Sequence, residues 1–288
     1  MGECRYCGQD AGWFKDAHSA CVVASQNGFQ QISSSVADTV AQGKPYSEIR
    51  PSIEQIKNAS HIPVEDFHNA LVGGLSAGAE KLALAEPLSL EKHSAFQAFI
   101  RDTGLTQQEL LKTNGYKTAV FSMLLWCLLN GRASEVASDQ EHPFNLQIGE
   151  IPILMFGSVV YSQETVSRSR QGGYSGASVR LGHGIYYHFG GFQSHTVEKT
   201  GLKEIDYGRL LLTTQNMYFG GDHKTFRLPY DHVVRFEPYS DGLGIFRDST
   251  NAKPEVFTVA NPFPGLGWFL FNATHFLAQP EARKLYAT

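Results

Sequence analysis

The amino-acid sequence changes its local character part-way along, and that change limits the fold more than any other feature. From Cys21 to Arg132 the chain is rich in Ala, Leu, Gln and Glu, whereas beyond Gly149 Gly, Tyr, Phe, Thr and Val dominate. The first composition suits helices and the second suits strands. Charge divides at the same place: residues 1–149 carry 11 basic and 16 acidic side chains, residues 150–288 carry 13 and 12. Helices followed by strands make an α+β chain. Its 288 residues fit about two domains and a small appendage better than one large barrel.

In the helical region, Ile49, Ile53 and Ile56 recur at helical spacing, as do Leu71, Leu75 and Leu82. Thr106 and Glu109 form a capping-box pattern ahead of Leu110 and Leu111, and Gly104 is placed to end a preceding helix over Leu90–Asp102. Gly115 and Gly131 bracket Tyr116–Asn130, whose apolar run belongs at the centre of a bundle. That run, Ala119 to Leu129, is far shorter than the roughly 20 residues of a membrane span. The start of the chain has no basic, apolar and small-residue succession of a secretion signal.

The strongest chemical pattern lies near the start. Cys4-Arg5-Tyr6-Cys7-Gly8 is followed by His18-Ser19-Ala20-Cys21, two ligand pairs each with two residues between. A C-x-x-C turn aims both sulfurs at one ion, and Gly8 can take the left-handed conformation that closes it. His18 and Cys21, three apart, share a face of a helix's first turn. Cys4, Cys7, His18 and Cys21 therefore make a Cys3His set suited to structural Zn2+, with no position left for water or substrate. Free thiols or a redox C-x-x-C are the alternatives, and the second pair argues against them. The arrangement resembles small zinc ribbons and treble-clef fingers over residues 4–21. Three cysteines crowded into 21 residues do not resemble a disulfide framework, so a reducing cytoplasm is expected. Cys127 reads as a small buried hydrophobe.

Beyond Gly149, short β-rich runs separated by Gly, Asp, Asn or Pro give about seven antiparallel strands: Ile151–Tyr161, Ile185–Phe189, Arg209–Thr214, Met217–Phe219, Thr225–Leu228, Val233–Glu237, Gly244–Arg247 and Val256–Val259. Trp268, Phe269, Phe271, Phe276 and Leu277 then predict one amphipathic closing helix. The run Gly208-Arg209-Leu210-Leu211-Leu212-Thr213-Thr214, then Met217-Tyr218-Phe219, Leu228-Pro229-Tyr230 and Val233-Val234-Arg235-Phe236-Glu237 resembles the GRAM branch of the pleckstrin-homology superfold. Leu228 stands where that branch usually has Ile. Together with Tyr239–Ile245 and Lys253-Pro254-Glu255, it is similar to a bacterial family of uncharacterised proteins that join a short N-terminal zinc finger to a PH/GRAM-like domain.

The expected layout is a zinc finger over 1–24, a helical domain over 25–133, a linker over 134–147 and a PH/GRAM-like antiparallel β-barrel over 148–288. The resemblance implies a binding module, and the expected function is a non-enzymatic cytoplasmic adaptor for a protein partner. The alternative is peripheral binding of anionic lipid. In this superfold such ligands meet cations in the first loop, which here holds Arg168, Arg170 and Arg180 among glycines and serines. The chain's formal charge of −4, and the few cations of the finger (Arg5 and Lys15 beside Trp13 and Phe14), do not favour nucleic acid. A metal-dependent hydrolase is the third reading, resting on His183, His188 and His195. No nearby carboxylate pattern completes a metal triad there, and no G-x-S-x-G or H-E-x-x-H occurs.

Overall fold

A computed structural model describes residues 2–13, 15–135, 141–164, 177–182, 185–189, 201–248, 253–260, 262 and 265–286. The chain divides into two compact units, Met1–Met123 and Leu124–Thr288.

In the first unit a two-stranded ribbon, β1 (Gly2–Glu3) and β2 (Asp10–Gly12), precedes α1 (Ser19–Ala41), α2 (Arg50–Ala59), α3 (Val64–Ala85), α4 (Leu90–Thr103), α5 (Gln107–Leu110) and the start of α6 (Asn114–Leu129). Local signals set several of these ends. The Ser89 hydroxyl accepts from the Lys92 N–H and opens α4, and Gly104, at φ 76°, ends it in the left-handed region. The Thr106–Glu109 capping box is formed, with the Thr106 N–H donating to Glu109 at 2.9 Å. The core gathers Ile32, Val36, Ile53, Leu71, Leu75, Phe96, Phe99 and Leu110 from five helices.

The close pairing of α1 with α3 depends on two glycines. Gly74 and Gly78 stand four residues apart, on one face of α3. A Cβ added at Gly74 would lie 2.5 Å from the Ser33 carbonyl oxygen, and one at Gly78 2.5 Å from that of Ala37. Absent side chains let the two backbones approach, and glycine alone fits without a shift. α1 runs unbroken from its first turn to Ala41. Its Gly28 and serine-rich middle, Ser33-Ser34-Ser35, give weak apolar periodicity, so its length was not readable from pattern.

The second unit is built on a seven-stranded antiparallel sheet. Its strands are β3 (Pro152–Glu164), β6 (Leu202–Thr213), β7 (Asn216–Gly221), β8 (Thr225–Pro229), β9 (Val233–Tyr239), β10 (Gly242–Arg247) and β11 (Glu255–Val259), in the order β8-β7-β6-β3-β11-β10-β9. β4 (Ala177–Gly182) and β5 (Ile185–Phe189) pair with each other outside that sheet. The expectation that Ile185–Phe189 joins the main sheet is corrected here, because β3 already has β6 on one side and β11 on the other. The closing element is α7 (Leu266–Leu277), packed on β9 and β10. A second short helix, α8 (Pro280–Tyr286), follows it, where the sequence predicted one helix alone.

Strand order and connection length together force curvature. β8 and β9 lie at opposite edges of the sheet, yet only the turn Tyr230–His232 joins them. The four steps from Pro229 to Val233 reach at most about 14 Å. A flat seven-stranded sheet is about 29 Å wide at about 4.8 Å per strand. The sheet must therefore roll until its edges meet at this corner. It does so as a curled half-barrel. The expected closed barrel is corrected to this extent: the two edge strands share a corner, not a ladder of hydrogen bonds.

Inside the curl, Tyr161 lies with its ring centroid 5.2 Å from those of Phe219, Phe226 and Phe257. One charge pair joins a half-buried arginine to a buried carboxylate beside them. Glu255, 5% exposed, accepts from Arg247 Nε at 2.5 Å and Nη2 at 3.0 Å and from the Tyr161 hydroxyl at 2.5 Å. The guanidinium lies 5.2 Å from the Phe226 ring centroid.

Two variants test these packings. Gly78→Ala should lower stability by about 1–3 kcal/mol through overpacking, against the helix propensity that alanine gains; an unchanged or raised urea midpoint would contradict the close approach. Arg247→Met leaves Glu255 buried without its counter-ion and should cost about 3 kcal/mol, while Arg247→Met with Glu255→Leu should recover most of it. Equal stability of the single and double variants would oppose this account.

Candidate functional site

The chain from Gly2 to Cys21 brings Cys4, Cys7, His18 and Cys21 together, with one ligand atom from each lying within 4.8 Å of all the others. Each arm has a local cause. β1 and β2 pair Glu3 with Asp10, which places Cys4 at the mouth of a tight turn. Within it the Cys4 N–H donates to the Gln9 carbonyl at 2.7 Å and the Gly8 N–H to the Cys4 carbonyl at 2.8 Å. Gly8 has φ 71°, the left-handed conformation the C-x-x-C-G pattern requires. His18 is the N-cap residue of α1, in extended conformation, and Cys21 stands in that helix's first turn.

The spacing matches a tetrahedral ion. Bonds of about 2.3 Å to sulfur and about 2.05 Å to nitrogen at the tetrahedral angle set S···N separations of about 3.6 Å. His18 Nδ1 is 3.5 Å from Cys7 Sγ and 3.6 Å from Cys21 Sγ. The other ring nitrogen, Nε2, lies 3.0 Å from the Asp10 carbonyl oxygen. A proton on Nε2 would donate to that carbonyl and leave Nδ1 as the bare donor facing the sulfurs. The Asp10 carbonyl is thus a supporting group that sequence reading missed, since no side-chain pattern announces a backbone oxygen.

The thiols differ in their electrostatics. Burial opposes ionisation of Cys4, but the backbone N–H groups of Cys7, His18 and Tyr6 and the Cys7 thiol outweigh it and bring its pKa down to about 6. Burial, then the neighbouring Cys7 and Cys4 sulfurs, push Cys21 up to about 11. Three sulfurs so close repel as thiolates unless a cation sits among them. All are free of disulfides. The four residues could hold a metal ion, and as a complete tetrahedral set they would leave no open position on it.

Of the other sequence candidates, Arg180 and His188 alone lie among the described residues. Arg168, Arg170, His183 and His195 lie outside the described residues. Arg180 lies on β4 opposite Tyr186, and His188 lies on β5 opposite Ser178. No helix among the described residues is long and apolar enough to cross a membrane.

Comparison with known proteins adds no assignment. No family model matches this chain, and no curated protein matches it.

Titrating the reduced full-length protein with Co2+ should give one equivalent bound with tetrahedral thiolate absorption. Cys21→Ser should weaken that binding by about tenfold or more. Octahedral-type spectra, or equal affinity in the variant, would contradict the four-ligand site.

Proposed function

We propose that the protein is a non-enzymatic adaptor, in which a structural Zn2+ clamps the N-terminal finger and the C-terminal unit is a PH/GRAM-like domain that binds a protein partner. The observation that carries this reading is the strand order of the curled sheet, in which strands first to fourth and fifth to seventh form two arms joined through β3 and β11, with α7 following the last strand. That layout accords with the resemblance drawn from Gly208–Glu237. The Leu228-Pro229-Tyr230 stretch of the resemblance falls on the corner between the two edge strands.

Three sulfurs and one nitrogen suit zinc, whose softness falls between that of hard oxygen-seeking and soft thiolate-seeking ions. A saturated ion acts as a clamp, because neither Lewis-acid activation nor a bound nucleophilic water has a position at it. Thiolate ligands fit a reducing compartment such as the cytoplasm. The edge strand β9 offers a surface for a partner, with Val234 68% exposed beside Arg235. The lipid-binding alternative rests on Arg168, Arg170 and Arg180, and the hydrolase reading needs a second metal equivalent.

One experiment separates these readings. Tagged full-length protein is offered to lysate of its source cells and, in parallel, to vesicles containing one-third phosphatidylserine, with elemental analysis of the same preparation. The adaptor reading expects a partner retained at fixed stoichiometry and reduced by Val234→Asp, one zinc per chain and no salt-sensitive sedimentation with vesicles. Vesicle binding lost on replacing Arg168, Arg170 and Arg180 with alanine would replace it with the lipid reading. Retention of neither, or a second metal equivalent with hydrolytic activity, would overturn it.

A further inference from the structure

The three sulfurs of the N-terminal cluster are unequally placed. Cys4 is 1% exposed and its Sγ accepts from the His18 N–H at 3.5 Å, whereas Cys7 and Cys21 are half-buried. A solvent-borne reagent therefore meets Cys7 and Cys21 before Cys4. Their sulfurs lie 3.5 Å and 3.6 Å from His18 Nδ1, and all four ligand atoms are within 4.8 Å of one another. A disulfide bond is about 2.05 Å long, so the two sulfurs need to close by less than about 3 Å to form one. Both are free thiols.

Backbone bonds tie the two arms of the cluster to each other independently of its ligand atoms. The Arg5 N–H donates to the Asp16 carbonyl at 2.9 Å, joining the cysteine turn to the segment that leads into α1. On the helix side, the Val22 N–H donates to the His18 carbonyl at 3.1 Å and sets Cys21 in the first turn. These bonds need no ion. They keep Cys7 and Cys21 close enough for a covalent link to form and to be reversed.

We propose that the cluster is a thiol switch, in which hydrogen peroxide oxidises Cys7 and Cys21 to a disulfide and the metal is given up. The inference rests on the zinc-clamp part of the proposed function and extends it to regulation. One of the two sulfurs attacks a peroxide oxygen, and the O–O bond breaks to give a sulfenic acid and one water. The other sulfur then attacks the sulfenic sulfur. The S–S bond forms, the S–O bond breaks, and the hydroxyl leaves as a second water with the proton of the attacking thiol. Two electrons pass from sulfur to peroxide, so two thiols and one peroxide become one disulfide and two waters; sulfurs that start as metal-bound thiolates draw these protons from solvent. Cys4 and His18 are then the remaining donors, and two donors fall short of the four that a structural site requires. The new bond still ties the cysteine turn to α1, so the switch changes metal content without detaching the finger. In a reducing compartment, disulfides of this kind are transient and redox-sensing.

The test treats the reduced, zinc-loaded full-length protein with hydrogen peroxide, follows zinc release with a chromogenic chelator and maps the products by mass spectrometry. Trypsin cuts after Arg5 and Lys15, which puts Cys4, Cys7 and Cys21 on three separate peptides. One equivalent of peroxide should release the bound zinc and link the Cys7 and Cys21 peptides, and a reductant with added zinc should restore the starting state. Cys127, 0% exposed, should stay a thiol throughout. Cys4→Ser should form the same Cys7–Cys21 link. Zinc retained under a large excess of peroxide, a disulfide that takes Cys4 instead, or sulfinic and sulfonic acids without a disulfide would overturn the switch and leave the clamp standing. A reduced protein that binds no zinc would overturn the clamp reading and the switch with it.

Discussion

The second unit depends on one short connection. Three residues, Tyr230–His232, join strands that the hydrogen-bonding order places six spacings apart, and no flat sheet can meet that demand. The corner is well fixed. Tyr230 is buried, with its hydroxyl donating to the Thr213 carbonyl at 3.1 Å, and the Asp248 N–H donates to the His232 carbonyl at 2.9 Å. Curling follows, and with it the enclosure of the Tyr161, Phe219, Phe226 and Phe257 rings and the burial of Glu255 against the half-buried Arg247.

The metal cluster obeys a different economy. Its four ligands fall within 18 residues of chain, so little loop entropy opposes their meeting, and the N–H groups of a tight turn already favour a thiolate at Cys4. An ion bound there would order a ribbon of five residues in two strands that has little apolar surface of its own. Ala11 and Cys4 are its buried side chains between Gly2 and Gly12.

Features written in neighbouring residues were legible in the sequence, and features made by distant ones were not. The Cys4–Cys21 ligand set, the Thr106–Glu109 capping box and the Gly104 helix end each involve residues a few positions apart, and each takes the form its spacing predicts. The β-rich runs were legible as strands because side-chain type and turn residues mark them. The pairing of β3 with both β6 and β11, the exclusion of β5 from the sheet and the buried hydrogen bond from the Tyr218 hydroxyl to Glu150 join residues that pattern cannot connect; Glu150 and Tyr218 are 68 positions apart. The glycines of α3 show the same limit. Gly74 and Gly78 weaken the helix signal locally, and their purpose becomes visible only against the backbone of α1.

The central physical statement is that β3 lies in the middle of one rolled antiparallel sheet whose edges are β8 and β9. Nuclear Overhauser contacts from Val160 of the isotope-labelled protein test it most directly. Antiparallel contacts from Val160 to both Tyr207 and Thr258 are expected, with none of a β8–β9 ladder. A hairpin ladder between β8 and β9, or parallel contacts at β3, would contradict it.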